Sequence, residues 1–411
     1  MATPTVFAGV AWRGATTAGA ALAEHCAATA LHRCFVPNHV VRQQGSQAYI
    51  AVMPAHLFRA LALVLCILAG HLASPLTATA VGATATRLNT SPSALGIAES
   101  NLYFMTADEL TTAMQAFDEM GVSQIRVFLP WRAIEPSRGA YNWVVADRIL
   151  DAAAARNIAV VGAVTSTPIW ASRNGFWLPN AAPDDPNTYA QFMVQLAERY
   201  GAGSAQPRIA AYEIWNEPNA NIGWSPQPNV AGYTELLKLA YTAIKAVEPT
   251  ATVVGGVLGA GLSFGTWTIN PVNYLTQMYA AGAQGYFDAL SFHPYNFSSS
   301  FSAGAPYANT PYRQLMSLRG LMDAAGDGEK KIWTTEYGVP TSAVSGATQA
   351  AWITDFATTW SGLDGVGPMF IYSLVDRPNE TPWGVFDRNW VAKPGVEAIR
   401  TWIAGRQSQI P

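Results

Sequence analysis

The feature that most constrains the fold is a regular alternation of short apolar runs with longer amphipathic segments, which begins after residue 86. The apolar runs are typical of buried strands, and the segments between them have the three- and four-residue spacing of helices. The predicted strands are 94–99, 124–129, 157–164, 208–215, 252–257, 288–292, 332–335 and 368–373. The predicted helices are 106–120, 144–156, 188–200, 231–247, 272–282, 311–325, 347–360 and 395–404.

Eight strands, each followed by a helix, predict an α/β fold of the (β/α)8 TIM-barrel class. An open, doubly wound sheet is the alternative that this pattern leaves open. No internal repeat or low-complexity linker interrupts residues 94–411, so we predict a single domain there. The active sites of such barrels lie in the loops that lead from strand to helix. Here these loops are the longer ones, at 165–187, 216–230, 258–271, 293–310 and 374–394.

The segment before this domain has the layout of a secretory signal. In residues 53–80, Arg59 precedes an apolar run that is too short for a membrane span of roughly 20 residues, and small residues follow it. Residues 1–52 fit no such layout, and we interpret them as disordered or as untranslated sequence upstream of a start at Met53. Residues 81–93 would be a short linker. We therefore expect a secreted or envelope-associated protein, cleaved near Ala80, with an uncleaved signal anchor as the alternative.

Composition excludes several classes of function. The net charge is -3 and only 12% of residues are charged, so the chain lacks the basic surface that nucleic acid requires. All 3 cysteines and five of the 6 histidines lie in the first 80 residues, which leaves His293 alone in the predicted domain. That domain cannot form a disulfide framework, a thiolate zinc site or a multi-histidine metal site. We expect no metal or cofactor, and a monomer whose partner is its substrate.

Two glutamates follow predicted strands that lie on opposite sides of the barrel mouth. Glu217 follows the fourth strand, and Glu336 ends the seventh. Because these strands are three apart in a ring of eight, we expect the two carboxyl groups to face each other. Hydrolysis of a glycosidic bond requires such a pair. The strand-to-helix loops also carry tryptophans, which either stack on sugar rings or cap the barrel: Trp170, Trp177, Trp224, Trp267, Trp383 and Trp390.

The motifs around these glutamates resemble those of a known group of enzymes. Trp215-Asn216-Glu217-Pro218 and Thr335-Glu336-Tyr337 are similar to the acid/base and nucleophile signatures of clan A glycoside hydrolases, which are retaining barrels. The resemblance covers most of residues 94–404 and favours a member that is like family 39 or a divergent member of family 5. It implies that Glu217 is the general acid/base, that Glu336 is the nucleophile, and that Asn216 binds the sugar 2-hydroxyl.

The resemblance also implies roles for residues on other strands. His293 and Tyr295 are similar to the His-x-Tyr motif of the clan, in which the tyrosine donates to the nucleophile and the histidine lies near the acid/base. Arg126 is similar to the clan arginine that keeps the nucleophile ionised. Glu213 lies four residues before Glu217 and therefore on the same strand face. We interpret it as a structural partner, with Arg126 as the candidate, and not as a catalytic group.

The sequence departs from the family 5 pattern at two positions. Thr165-Ser166-Thr167 stands where family 5 usually has a histidine, and Ile371-Tyr372-Ser373 stands where a tryptophan usually closes strand eight. Trp383 is our candidate to replace that tryptophan from the following loop. Trp170, in Thr167-Pro168-Ile169-Trp170, resembles a substrate-platform residue. These departures leave the catalytic pair intact but affect the subsite beneath the reacting sugar.

Together these observations predict a retaining β-glycosidase that acts by double displacement, with about 5 Å between its two carboxyl groups. The candidate substrates are β-xylosides, β-glucans or other exopolysaccharides, and cell-wall β-galactofuranosides. A non-catalytic carbohydrate-binding protein on the same barrel is one alternative. A serine esterase is another, because Gly261-Leu262-Ser263-Phe264-Gly265 matches the G-x-S-x-G elbow. That motif requires a helix directly after it, and the sequence from Gly265 predicts a loop instead.

Overall fold

We analysed a computed structural model, which describes residues 86–175, 178–206 and 208–407. The predicted extension, the predicted signal segment and the first part of the predicted linker lie outside these residues, as does Trp177. Among the helices that are described, none combines the length and the apolar character needed to cross a membrane.

The domain is a closed barrel of eight parallel strands that are hydrogen-bonded in sequence order. This closure confirms the (β/α)8 prediction, because the last strand pairs with the first and no open edge remains as in a doubly wound sheet. The strands are β1 Leu95–Glu99, β2 Gln124–Pro130, β3 Ala159–Thr165, β4 Ile209–Ile214, β5 Val253–Gly259, β6 Ala289–His293, β7 Lys331–Tyr337 and β8 Val366–Tyr372.

A long helix follows each strand, as predicted. These helices are α1 Ala107–Met120, α2 Val144–Ala154, α3 Pro186–Tyr200, α4 Val230–Val247, α5 Pro271–Ala280, α6 Pro311–Ala324, α7 Gly346–Ser361 and α8 Pro394–Gln407. Several begin with a capping side chain followed by proline, such as Asp185 before α3, Asn270 before α5 and Thr310 before α6. The capping side chain accepts a hydrogen bond from a free backbone N–H, and proline has no N–H that would need a partner. These pairs therefore mark the point where a catalytic-face loop ends and a helix begins.

The structure moves most of the predicted strand boundaries by one or two residues, and the changes in β3 and β7 have clear local reasons or consequences. β3 begins at Ala159 and not at residue 157, because Asn157 has φ of 56° and belongs to the turn that follows α2. β7 extends to Tyr337, beyond the predicted end at residue 335, so that Glu336 lies within the strand. A side chain in a paired strand is held more firmly than one in a loop, which suits a residue placed at the centre of a site.

The barrel interior below the site is filled by two large side chains and several small ones. Trp333 on β7 and Phe370 on β8 pack against small residues of the other strands, namely Ala98, Val161, Ala211, Val254 and Ala289. A Cβ atom on Gly367 would lie 2.5 Å from the Trp333 ring, so the neighbouring strand must have a glycine there. This packed layer closes the barrel beneath Glu336, and the functional groups lie at the open end above it.

Candidate active site

The two predicted catalytic glutamates face each other at the carboxyl ends of the strands. One carboxylate oxygen of Glu217 and one of Glu336 lie within 4.8 Å of each other. The side chain of Glu217 is 18% exposed, whereas that of Glu336 is 9% exposed. The structure therefore brings the pair together, with Glu217 nearer to solvent and Glu336 deeper in the barrel mouth.

Arg126 links the deeper glutamate to the other polar groups of the site. It lies on β2 and is buried, and its Nη1 donates to Glu336 Oε1. Its Nε donates to Glu213 Oε1 at 2.7 Å, and its Nη2 donates to Asn216 Oδ1 at 2.7 Å. The predicted contact between Glu213 and Arg126 is therefore present. One guanidinium group thus orients three side chains from β4 and β7, which a fork of several N–H donors can do and a lysine cannot.

The pKa of Glu336 is set by opposing effects of burial and of its polar neighbours. Burial alone would raise its pKa, but His293, Arg126 and a hydrogen bond from Tyr295 lower the pKa below the usual value for glutamate. Tyr295 donates its hydroxyl to Glu336 Oε2 at 2.7 Å. Burial and the adjacent Glu336 carboxylate raise the pKa of Tyr295 far above that of free tyrosine, so this hydroxyl remains a donor. The surroundings of Glu336 thus favour its ionised form.

His293 holds the second glutamate. Its Nδ1 lies 3.0 Å from Glu217 Oε1, and its Nε2 lies 2.8 Å from Thr335 Oγ1. Thr335 in turn shares a 2.6 Å hydrogen bond with Ser291 Oγ. Because both ring nitrogens have partners, the imidazole plane is fixed and so is the Glu217 oxygen that contacts it. The resemblance had placed His293 near the acid/base, and the structure places it there.

The backbone that carries Glu217 adopts an uncommon conformation. Trp215 has φ of 73° and Glu217 has φ of 45°, values that residues other than glycine rarely adopt. The Glu217 N–H donates to Val257 O at 2.9 Å, and the Trp215 indole donates to Gly223 O at 2.6 Å. These bonds stabilise the turn and direct the Glu217 side chain into the barrel mouth. Such local strain is typical of functional sites.

An aromatic wall stands beside Glu336. Trp383 lies edge-on to Tyr295, Phe297 and Tyr372, with ring centroids 5.3, 5.5 and 5.8 Å apart. The structure therefore brings Trp383 to the nucleophile side of the site, where a loop tryptophan was predicted to replace the missing one on β8. Sequence reasoning missed Phe297. Its position two residues after Tyr295, in the loop that follows β6, was the only signal that could have pointed to it.

The structure does not bring Trp170 to the catalytic pair. Its indole N–H donates to Glu135 O at 2.9 Å, its ring packs edge-on against Trp131, and the Arg138 guanidinium lies over it. The short 3-10 turn Ile169–Ala171 carries the side chain onto Trp131 and away from the mouth. The prediction that Trp170 is a platform residue is therefore corrected: its side chain packs against other residues of the protein. Trp224 is likewise buried, against Trp215.

A cavity of about 440 Å³ opens beside Asn216 and Glu217. It lies among the loops that follow the first four strands, and its walls combine aromatic, hydroxyl and amide groups that can contact both faces of a sugar. Sequence reasoning did not single out most of these residues, because they become neighbours only when the loops meet. They include Phe104, Phe128, Asn180 and Ile222, whereas Thr165 and Ser166 in the same wall belong to the segment that departs from the family 5 pattern.

Glu217, His293 and Glu336 are the one set of three potential metal ligands among the residues that the structure describes. Their ligand atoms already contact protein groups: His293 Nδ1 contacts Glu217 Oε1, and the two oxygens of Glu336 accept from Arg126 and Tyr295. These contacts join the set into a hydrogen-bonded cluster of acids and bases. The chemistry that it supports directly is proton transfer together with nucleophilic attack.

The esterase alternative is not supported by the geometry. Ser263 lies in the loop between β5 and α5, and its hydroxyl accepts from Asn270 N at 3.0 Å. No helix begins directly after it, because α5 starts only at Pro271. Both nitrogens of His293 contact Glu217 and Thr335, so this histidine cannot serve Ser263 as a base.

A closed (β/α)8 barrel with paired glutamates at strands four and seven defines a glycoside hydrolase of clan A. The model of the cellulase family, glycosyl hydrolase family 5, matches residues 82–362. The chain therefore belongs to glycosyl hydrolase family 5. No curated protein matches the chain.

Solved structures of families 39 and 5 share the fold. A family 39 glycoside hydrolase from Bacteroides cellulosilyticus superposes with a TM-score of 0.61 at 21% identity, over 76% of this chain and 63% of that one. The family 39 β-xylosidase from Caulobacter crescentus superposes with a TM-score of 0.59 at 19% identity, over 75% of this chain and 70% of that one. A family 5 enzyme from Streptomyces cattleya, in complex with Manβ1-4GlcNAc, superposes with a TM-score of 0.57 at 14% identity, over 77% of this chain and 82% of that one. The chain thus spans less than two thirds of the length of the first of these proteins.

Proposed function

We propose that this protein is a retaining β-glycosidase that cleaves O-glycosidic bonds of an oligosaccharide or polysaccharide by double displacement. The observation that carries the proposal is the distance within 4.8 Å between oxygens of Glu217 and Glu336. Retaining enzymes hold their two carboxyl groups about 5 Å apart, whereas inverting enzymes leave roughly 6.5–9.5 Å for a water molecule between them. The acids of this site are too close for that water.

In the first step, a carboxylate oxygen of Glu336 forms a bond to the anomeric carbon, and the bond from that carbon to the leaving oxygen breaks. Glu217 donates its proton to the leaving oxygen, so that a neutral alcohol departs. In the second step, Glu217 accepts a proton from water, whose oxygen attacks the anomeric carbon and releases Glu336. Arg126 and Tyr295 support the proposal, because their hydrogen bonds stabilise Glu336 as the charged leaving group of this step.

The two roles are tested with alanine variants and aryl β-glycosides. Glu336→Ala should abolish turnover of every substrate, because no covalent intermediate forms. Glu217→Ala should still release an activated phenol, and added azide should then replace water and yield a β-glycosyl azide. The matched control is Glu119→Ala on the exposed face of α1, which should behave as wild type. Equal activity of the two site variants, or a product of inverted configuration by NMR, would contradict the assignment.

The proposed substrates are β-xylosides, β-glucans or other exopolysaccharides, and β-galactofuranosides. Solved structures with the same fold include a β-xylosidase, a glucosidase from Croceicoccus marinus and an exo-β-1,4-mannosidase from an Opitutaceae bacterium, which supports a β-linked substrate without choosing the sugar. A panel of aryl β-pyranosides and β-furanosides would identify the glycone. Tight binding with no release of phenol from any member would instead indicate a carbohydrate-binding barrel.

We also propose that the protein is secreted, on the basis of the signal-like segment 53–80. Expression of the full chain in a secreting host and amino-terminal sequencing of the protein in the medium tests this. A new terminus near residue 81 is expected. Retention of the whole activity inside the cells, with an uncut chain, would contradict it.

A further inference from the structure

The loops after β4 and β5 carry four of the large exposed apolar side chains on the catalytic face of the barrel. Ile222, Leu262, Phe264 and Trp267 are each between 59% and 72% exposed, although they are among the larger apolar residues of the chain. Among the described residues, the indole of Trp267 has no aromatic partner, and its N–H has no hydrogen-bond acceptor. Apolar surface gathered beside an active site is a common mark of ligand contact.

The segment that carries Trp267 is a defined hairpin. Phe264 and Thr268 form an antiparallel bridge, in which Phe264 N donates to Thr268 O at 2.9 Å. Gly265 has φ of 50° at the turn, and the Thr268 hydroxyl donates to Leu262 O at 2.7 Å. We refer to residues 262–269 as the β5 hairpin. Trp267 is therefore exposed on an element whose backbone is held by its own hydrogen bonds.

This hairpin is attached to the loop that carries Glu217. Asn219, two residues beyond the acid/base, has a buried side chain whose Nδ2 donates to Gly259 O at 2.8 Å and to Ile269 O at 3.0 Å. Asn221 N donates to Trp267 O at 2.7 Å. The next residue, Ile222, lines the cavity that also contains Glu217. The hairpin is thus hydrogen-bonded to the loop that runs from Glu217 to Ile222.

The chemistry of the site determines which part of a substrate meets this surface. The acid/base protonates the oxygen of the leaving group, so the leaving group lies on the Glu217 side, whereas the aromatic wall of Trp383 lies on the Glu336 side. A flat indole face packs well against the C–H face of a sugar ring.

We propose that the β5 hairpin forms the subsite for the leaving group, that Trp267 is its stacking residue, and that the leaving group is itself a sugar. The protein would then prefer oligosaccharides over glycosides with small leaving groups. This inference rests on the proposed function, because it assigns the leaving-group side from the role of Glu217. It concerns specificity and predicts no new chemical step.

Trp267→Ala tests the subsite when two substrates of one glycone are compared. The probes are the β-fluorides of glucose, xylose and mannose and the matching β-1,4-linked tetraoses. Fluoride departs without occupying a sugar subsite, so kcat/KM for the fluoride should stay as in wild type. For the tetraose, kcat/KM should fall about tenfold, which corresponds to uncovering roughly 60 Å² of apolar surface. Trp267→Phe should recover most of this loss.

Val144→Ala is the control variant, since Val144 is 71% exposed at the start of α2 and should affect neither substrate. Unchanged tetraose hydrolysis in Trp267→Ala would overturn the subsite, and so would an equal fall for fluoride and tetraose. Failure of the wild type to hydrolyse these probes and every member of the aryl β-pyranoside and β-furanoside panel would instead reject the proposed function. The two failures are therefore distinguishable.

Discussion

At the scale of single residues, the centre of this site is a buried cation shared by two acids. Arg126 donates to Glu213 and to Glu336, and Glu213 has no exposed surface. Transfer of these charges from water is costly, and their mutual contacts offset much of that cost. Removing the cation leaves Glu213 without its charge partner and leaves Glu336 with only the hydrogen bond from Tyr295 and the nearby His293. The arginine is therefore required for folding as well as for the nucleophile.

Arg126→Gln should lower the free energy of unfolding by about 3–5 kcal/mol, as expected when one partner of a buried ion pair is removed. Arg156→Gln is the matched control, because its contact with Asp118 lies on the surface and such pairs contribute about 0–1 kcal/mol. Urea denaturation monitored by tryptophan fluorescence measures both. Similar losses for the two variants would show that the buried pair is no more important than the exposed one.

Tyr295→Phe should move the acidic limb of the pH–rate profile upward. Glu336 must be ionised to attack, and because its pKa is lowered by His293, Arg126 and Tyr295, the wild-type midpoint of kcat/KM should lie below the usual value for glutamate. Removing the hydroxyl that donates to Glu336 raises this pKa, so activity is lost at a higher pH as the solution is acidified. The exposed Tyr307→Phe serves as control. An unmoved midpoint would mean that another group controls this limb.

The same shift has a consequence for stability. Because the folded-state pKa of Glu336 lies below its unfolded value, the ionised carboxylate stabilises the fold above the unfolded pKa. That contribution should decline as the pH falls toward the folded-state pKa. It should be smaller in Tyr295→Phe than in wild type.

At the scale of elements, the end of β5 provides space for the acid/base. A Cβ atom on Gly259 would lie 3.0 Å from Glu217 Oε1 and 3.1 Å from its Cδ, whereas one on Gly261 would meet nothing within 4 Å. The two glycines are two positions apart on the same segment. One of them is therefore required by the position of Glu217 and the other is not.

Gly259→Ala should displace the Glu217 carboxyl by a few tenths of an ångström, and we expect kcat/KM to fall by roughly tenfold to a hundredfold for substrates that need protonation of the leaving group. Substrates with activated leaving groups should lose much less. Gly261→Ala should match wild type on both kinds of substrate. Steady-state kinetics with a series of aryl glycosides measures the difference. Equal losses for good and poor leaving groups would indicate a general distortion instead.

Local sequence patterns were sufficient to predict the strands and helices, but not the contacts between loops. The strands and helices could be predicted because each segment contains its own apolar run or helical spacing of apolar residues. Only boundaries such as that at Asn157 were wrong. The direction of Trp170 depends on Trp131 and Glu135, which lie more than 30 positions away. The β5 hairpin depends on amide groups of the preceding loop, so the sequence around Gly265 predicted only a loop. Contacts between loops leave no periodic signal.

At the scale of the whole molecule, the barrel is stabilised by a layer in which two large rings, those of Trp333 and Phe370, pack against several small residues. Trp333→Ala should cost about 3–5 kcal/mol, because this residue is only 3% exposed and its removal leaves a cavity among side chains that cannot collapse into it. Trp267→Ala removes the same atoms from the surface and should change stability by no more than about 0.5 kcal/mol. Urea denaturation compares them. Equal losses would contradict the assignment of Trp333 to the core.

The buried position of Arg126 affects how the substrate preference of such a barrel can change. The groups that the proposed reaction uses are on strands or within three positions of a strand end; Arg126 aligns Glu336 and Asn216, and His293 holds Glu217. The hairpin that carries Trp267 contacts the Glu217 loop through its backbone carbonyl groups at Trp267 and Ile269, which do not depend on its side chains. Exchange of residues 262–269 for those of another barrel should therefore redirect preference while the turnover chemistry is inherited intact. A duplicated gene could therefore acquire a new substrate preference through changes in this hairpin while its catalytic groups stay in place.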